Sequence, residues 1–485
     1  MARLFTLLLL AATSVYLRWI ALSQTAFANG WDAYYYLIQI RSWVEQGRMH
    51  SPEASLIYPL MRGVYALSED YILAYKLTAA LLAGLFTAAA AVFAYRRLGH
   101  AHGAALIGAW MLFSPMLTWF STQYPKNLLG LTFLIVFWIL ALERDRRFLP
   151  GALAALAACF FSHKLAFGLA IASVAAYGLS LLMGKIPLRI AFVFGLMTLL
   201  IIMQLLMLTK TDSLLQWVEW ERFGGELRTR LQFSWWSYWS EGSEAGRLGW
   251  WAKIELLLML PTFILPLIFW GKPERRADIA LYILFLWLFF PFLRWDSSGG
   301  LAWRLFSVAA LLAPLALQTV FLRLPVAAER MSWACLIAAF FSWKSYMPLK
   351  HDPPYARYAK VSDRAMRALE GRPVELLIAH NSLAEFITWR THIDALPWLP
   401  EYDIPSDQLW RLSAGLQPSE LRRRIPRDET VYPLAYGYCL LRERAWQAAR
   451  KHAADNNDSL FLEKTGDWKN PYRTRPAYLL RRKKT

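Results

Sequence analysis

The chain has 485 residues, of which 57% are hydrophobic and only 18% charged, and its mean hydropathy is +0.28. A charged share well below the ~25% of soluble proteins excludes an ordinary water-soluble domain and indicates an integral membrane protein. The net charge of +18 sits mostly in loops and tail, which favours anionic headgroups or phosphorylated lipids over nucleic acid, and the three scattered cysteines make neither a disulfide framework nor a metal motif.

The chain opens with "MARLFTLLLLAATSVYLRWIALSQTAFA". Its basic start, apolar run and small-residue end at Ala26-Phe27-Ala28 have the shape of a signal peptide. The run is nevertheless long enough to span a bilayer and is interrupted late by Arg18, so a retained first helix is expected. Apolar runs then recur between short charged or Pro/Gly breaks. They give eleven expected spans, near 3–22, 70–94, 103–121, 127–142, 148–162, 164–183, 187–208, 251–270, 277–293, 301–321 and 331–347.

The connections sort by charge. "YRRLGHAHG", "ERDRRF", "GKIPLR", "GKPERR" and "RLPVAAER" are basic and belong inside. Between them lie "STQYPKN", "SHK" and "RWDSSGG", with two long loops over 23–69 and 209–250, all expected outside. This pattern puts the N-terminus in the cytoplasm and the C-terminal region beyond the membrane. After residue 347 the chain turns polar and Arg-rich. "PVELLIAH" reads as a strand, "SLAEFITWR" and "RERAWQAARKHAADNN" as helices, and "RPAYLLRRK" as a late strand. The expected architecture is a mainly α bundle over 1–347 with a small extracytoplasmic α/β domain over 348–485.

No Walker motif, GxGxxG or His/Cys metal spacing occurs, so ATP-driven and dinucleotide chemistry find no support. The unusual stretch is "NGWDAYYYLIQIRSWVEQGRMHSPE", where Asp32 stands among aromatics directly after the first span. Trp31, Tyr35, Ile38 and Ser42 share one helical face, and Tyr36, Ile40, Trp43 and Gly47 another. Such a helix is expected to lie in the interface plane. Asp32 then either caps that helix or aims a carboxylate at a cavity near the membrane surface. The Trp-dense loop over 209–250, with Gly224-Gly225 and Gly242 as hinges, is either a lid or a plain interfacial helix.

"WDAYYYLIQIRSWVEQG" and the following "SPEASLIYPLMRGVYALSEDYILAYKL" resemble the first external loop of the GT-C membrane glycosyltransferases, in particular the aminoarabinose transferases and protein O-mannosyltransferases. The resemblance implies a GT-C bundle whose donor is a sugar on a polyprenyl phosphate. It implies that Asp32 is the general base or places a divalent metal ion. The chain departs from the family's other patterns. Ala33 stands where an acidic partner follows, so Glu53 is the nearest second carboxylate. "WWSYWSEG" lacks the aspartate of the oligosaccharyltransferase signature and lies between spans, which speaks against asparagine-linked transfer.

Transfer from a lipid phosphate needs cations on the departing phosphate and a base beside the acceptor hydroxyl. Lys126, His163 and Lys164 stand at expected external helix starts, and Arg304 lies inside a span, where an ionisable residue is a site candidate by default. Arg294 with Asp296, and Glu255, are weaker candidates. The function so implied is inverting sugar transfer from a polyprenyl-phosphate donor to a glycan, lipid or protein acceptor on the external face. The alternatives are a transporter or flippase for a lipid-linked or anionic substrate, and a non-catalytic membrane scaffold.

Overall fold

The computed structural model describes residues 2–51, 53–98, 101–141, 146–183, 307–308, 310–315, 355–368, 376–392, 395–398, 437–442, 460–463 and 477–482. The chain forms two compact units. The first gathers Met1–Gln24, Glu53–Glu69 and Lys76–His351; the second gathers Thr25–Pro52, Asp70–Tyr75 and Asp352–Thr485.

The first unit holds α1 (Ala2–Leu22), α3 (Ile57–Ser68), most of α4 (Tyr71–Leu98), α5 (Ala101–Phe113), α6 (Pro115–Gln123), α7 (Pro125–Ala141), α8 (Leu149–Ser162) and α9 (Lys164–Met183). Lipid offers no hydrophobic gain for bringing helices together, so close packing of small residues takes that role. Gly84 of α4 shows it. A Cβ there would lie 2.5 Å from a Val15 methyl and 2.9 Å from the Ala11 carbonyl. Leu22 packs with Ala79 and Ala80 on the same seam, while Leu4, Phe5, Leu8 and Leu9 face outward. By length and apolarity α1 and α4 can each cross a membrane, whereas α7, α8 and the described apolar part of α9 are shorter.

The expected span over 103–121 is broken. α5 and α6 meet at 60° about Ser114. The cause is Pro115, which has no N–H for the Met111 carbonyl four residues back. Arg18 of α1 takes over that duty. Its Nη2 donates to the carbonyls of Met111 at 2.8 Å and Ser114 at 3.2 Å, and its Nη1 donates to the Leu112 carbonyl. Ser114 Oγ accepts from Leu117 N at 3.0 Å and so caps the new helix. All of α6 is buried through Gln123. The "STQ" of the expected external loop is therefore buried helix, and Tyr124 alone joins α6 to α7. The expected spans near 187–208, 251–270, 277–293 and 331–347 lie outside the described residues, as does most of that near 301–321.

The second unit holds α2 (Ala33–Gln46), α10 (Tyr355–Ala368), α11 (Asn381–Thr391) and a sheet of β1 (Leu376–His380), β2 (Ala395–Trp398), β3 (Gly437–Arg442), β4 (Leu460–Glu463) and β5 (Ala477–Arg482). The strand order is β2-β1-β3-β5-β4. β1 is parallel to β2 and to β3, while β5 pairs antiparallel with β3 and with β4. Parallel neighbours need a crossover, and α11 supplies it between β1 and β2. β1, α11 and β5 stand where "PVELLIAH", "SLAEFITWR" and "RPAYLLRRK" place them. The helix expected over 442–457 lies outside the described residues, save that Arg442 ends β3.

Candidate functional site

The candidate residues fall into two groups, one in each unit. In the second unit, Asp32 begins α2 with φ −99° and ψ 9°. Its carbonyl accepts from Tyr36 N at 3.3 Å, but its side chain makes no capping hydrogen bond. The capping role expected for Asp32 is thus not the one it plays. The segment before it is fixed by backbone contacts: Tyr75 donates its hydroxyl to the Asn29 carbonyl at 2.8 Å, and Tyr355 donates to that of Gly30. Downstream, Gln39 pairs with Ser51 as one peptide pairs with another. Its Oε1 accepts from Ser51 N at 2.9 Å and its Nε2 donates to Ser51 O at 3.0 Å. That pairing closes the loop after Gly47, which takes φ +73°.

α2 is buried on most of its surface, from Ala33 through Ser42 apart from Tyr35. Its covering within the unit is aromatic. The Tyr34 ring centroid lies 4.7 Å from that of Tyr355 and 4.8 Å from that of Phe386. Burial pushes the Tyr34 hydroxyl above its ordinary pKa, against a smaller opposing hydrogen bond at Ala28. Burial lowers that of the Arg41 guanidinium, opposed by Glu45 and Tyr71. Arg41 donates to the carbonyls of Thr388 and Trp389, and its guanidinium lies 4.8 Å above the Trp389 ring.

In the first unit, Glu53 is paired. One carboxylate oxygen forms an ion pair with Lys126 Nζ and the other accepts from the Tyr58 hydroxyl. The neighbouring residues explain its position. α8 ends at Ser162, which leaves its last carbonyls without intrahelical donors. Leu56 N donates to Phe161 O at 2.8 Å and Ser55 Oγ to Ser162 O at 2.9 Å. These bonds fasten the Glu53–Leu56 segment to the α8–α9 junction.

His163 makes that junction. Its backbone is extended at φ −162° and ψ 134°, its N–H still closes α8 on Cys159 O, and its Nδ1 accepts from Leu165 N at 3.1 Å. Nδ1 therefore carries no proton, and the neutral ring holds its hydrogen on Nε2. Lys164 is the first residue of α9, and Lys126 is the second of α7, after Pro125. α7 reaches the junction through Gly130, where a Cβ would lie 2.7 Å from Ala166 Cβ and 3.4 Å from His163 Cβ. Lys126, His163 and Lys164 thus stand at the starts of two helices that touch, with Glu53 as counter-ion. Helix starts present free N–H groups and a partial positive charge, which suits an anion.

Arg304, Arg294, Asp296, Glu255 and the 209–250 loop lie outside the described residues. Among the described residues no three His, Cys, Asp or Glu side chains gather. Arg18 and Lys76 carry a signal that was open to reading. Both are ionisable residues in apolar helices, buried to 1% and 6% exposure. Tyr58 and Tyr355 carried no such signal, because a tyrosine near a membrane surface is ordinary.

No family model matches the sequence. No curated protein matches it either. Among solved structures, ArnT from Cupriavidus metallidurans, bound to undecaprenyl phosphate, matches over 97% of this chain and 97% of its own. The TM-score is 0.50 and the identity 13%, so the likeness is one of fold. That fold is GT-C-like, as the resemblance of the Asp32 stretch implies.

Proposed function

We propose that the chain is a membrane glycosyltransferase that takes a sugar from a polyprenyl-phosphate donor and passes it, with inversion, to an acceptor hydroxyl on the extracytoplasmic face. The observation that carries this reading is the placement of Lys126, His163 and Lys164 at the starts of α7 and α9, two helices that touch at Gly130. It is supported by a fold shared with a protein solved with undecaprenyl phosphate. In the proposed reaction the Asp32 carboxylate takes the acceptor hydroxyl proton. The acceptor oxygen attacks the anomeric carbon from the side opposite the phosphate. The bond from that carbon to the phosphate oxygen breaks, and the electron pair leaves with the lipid phosphate. Lys126, Lys164, His163 Nε2–H and Arg304 receive the charge. Glu53 holds Lys126 until the phosphate competes for it.

The test is binding of undecaprenyl phosphate to the detergent-solubilised full chain. Loss of a charged hydrogen bond is worth about 1.5–3 kcal/mol, so Lys126→Ala and Lys164→Ala should each weaken binding roughly ten- to a hundredfold. Glu53→Gln should tighten it about fivefold, the equivalent of the ~1 kcal/mol of a partly exposed ion pair. Unchanged binding in all three variants would sink the phosphate site. A transporter reading draws on one observation, the break between α5 and α6, since interrupted helices often line substrate paths. Undecaprenyl-phosphate flipping by proteoliposomes of the Asp32→Asn variant, with sugar transfer abolished, would favour it.

A further inference from the structure

We infer that the C-terminal region braces the Asp32 segment and that Tyr355 is a positioning residue; this rests on Asp32 acting as the base. Two successive carbonyls just before Asp32 accept tyrosine hydroxyls, that of Asn29 from Tyr75 and that of Gly30 from Tyr355. Gly30 has φ +108°, a conformation open to glycine and rarely taken by other residues. Tyr355 also grips the other side of Asp32. Its ring lies 4.7 Å from that of Tyr34 and stacks at 5.7 Å on Phe386 of α11. One residue of α10 therefore fixes the chain two positions before Asp32 by a hydrogen bond and two positions after it by ring packing. Tyr355 is itself 3% exposed and Tyr34 1%.

A second attachment lies two turns along α2. Arg41 donates to the carbonyls of Thr388 and Trp389, in the last turn of α11, where the helix dipole favours a cation. Trp389 is also met edge-on by Tyr71 at the start of α4, at 5.5 Å. Asp32 makes no cap bond to α2, and these neighbours hold the chain on either side of it. A base held by a loop needs such support, because misplacement by about 1 Å costs up to ~10²-fold in rate. The C-terminal region thereby acquires a role in catalysis.

Tyr355→Phe removes the hydroxyl and keeps the rings. Two measurements on the detergent-solubilised full chain test it. The first is hydrogen exchange of the amides from 29 to 36. The second is release of undecaprenyl phosphate from undecaprenyl-phosphate-linked mannose and aminoarabinose. The expected result is faster exchange confined to those amides, and kcat lower by roughly ten- to a hundredfold with KM for the lipid donor unchanged. Unchanged exchange overturns the brace. Faster exchange with normal kcat, while Asp32→Asn is inactive, overturns positioning. Normal turnover by Asp32→Asn removes the base reading alone, and the brace then stands or falls on the exchange data.

Discussion

At the scale of single residues, Asp32 separates two roles that sequence alone joins. An aspartate before a helix is an ordinary cap, yet its side chain makes no cap hydrogen bond to α2. Asp32→Asn and Asp32→Ala should therefore not show the ~1 kcal/mol difference in unfolding that separates Asn from Ala at a capping position. Turnover should fall by roughly 10²–10⁴-fold in both, the worth of a general base. Thermal unfolding and turnover measured on the same samples check this. Activity within a few fold of the parent would send the search to Glu53, Glu255 or Asp296. Glu53 was readable as a second carboxylate, but its partners were not. Its pairing with Lys126 joins positions 73 residues apart, and no local pattern encodes that.

At the scale of elements, the α7–α9 contact depends on one missing side chain. A Cβ at Gly130 would meet Ala166 Cβ at 2.7 Å, and a Cβ cannot swing aside. Gly130→Ala should therefore push the helices apart and destabilise the protein by about 1–2 kcal/mol, overpacking outweighing the better helix propensity of alanine. Gly168→Ala on α9 meets nothing within 4 Å and should gain up to about 1 kcal/mol. Denaturation midpoints of the two variants in one detergent decide the matter. Equal shifts would mean that the contact is loose. The first spans were readable because apolar length is a property of a segment. The break at Ser114 was not, since Pro115 predicts the lost hydrogen bond but nothing nearby names Arg18 as the replacement donor. The strand at 376–380 and the helix after it were readable from alternation and periodicity, whereas the sheet order depends on pairings between distant segments.

At the scale of the whole molecule, the alternation of basic loops proposes an orientation. A reporter fused after Arg147 should be active in the cytoplasm, and one fused after Lys350 should be active outside it. Reversal of either would place the second unit on the wrong side for an extracytoplasmic reaction. The grouping of Thr25–Pro52 with Asp352–Thr485 gives this test a wider meaning, because the Asp32 loop and the last part of the chain share one unit. Both must therefore lie on the same side.

The bond between Arg18 and the α5 carbonyls also sets a timetable. Its Met111 partner is made 93 residues later. At about 5–20 residues per second of synthesis, that is a delay of roughly 5–19 s. Throughout it α1 carries a guanidinium without its final acceptors, at a cost on insertion scales of up to about 3 kcal/mol. The side chain lies four residues from the end of α1, near enough to the headgroups to wait there. Insertion of α5 would then draw it inward, so that the newborn bundle locks only when its third hydrophobic segment has been threaded.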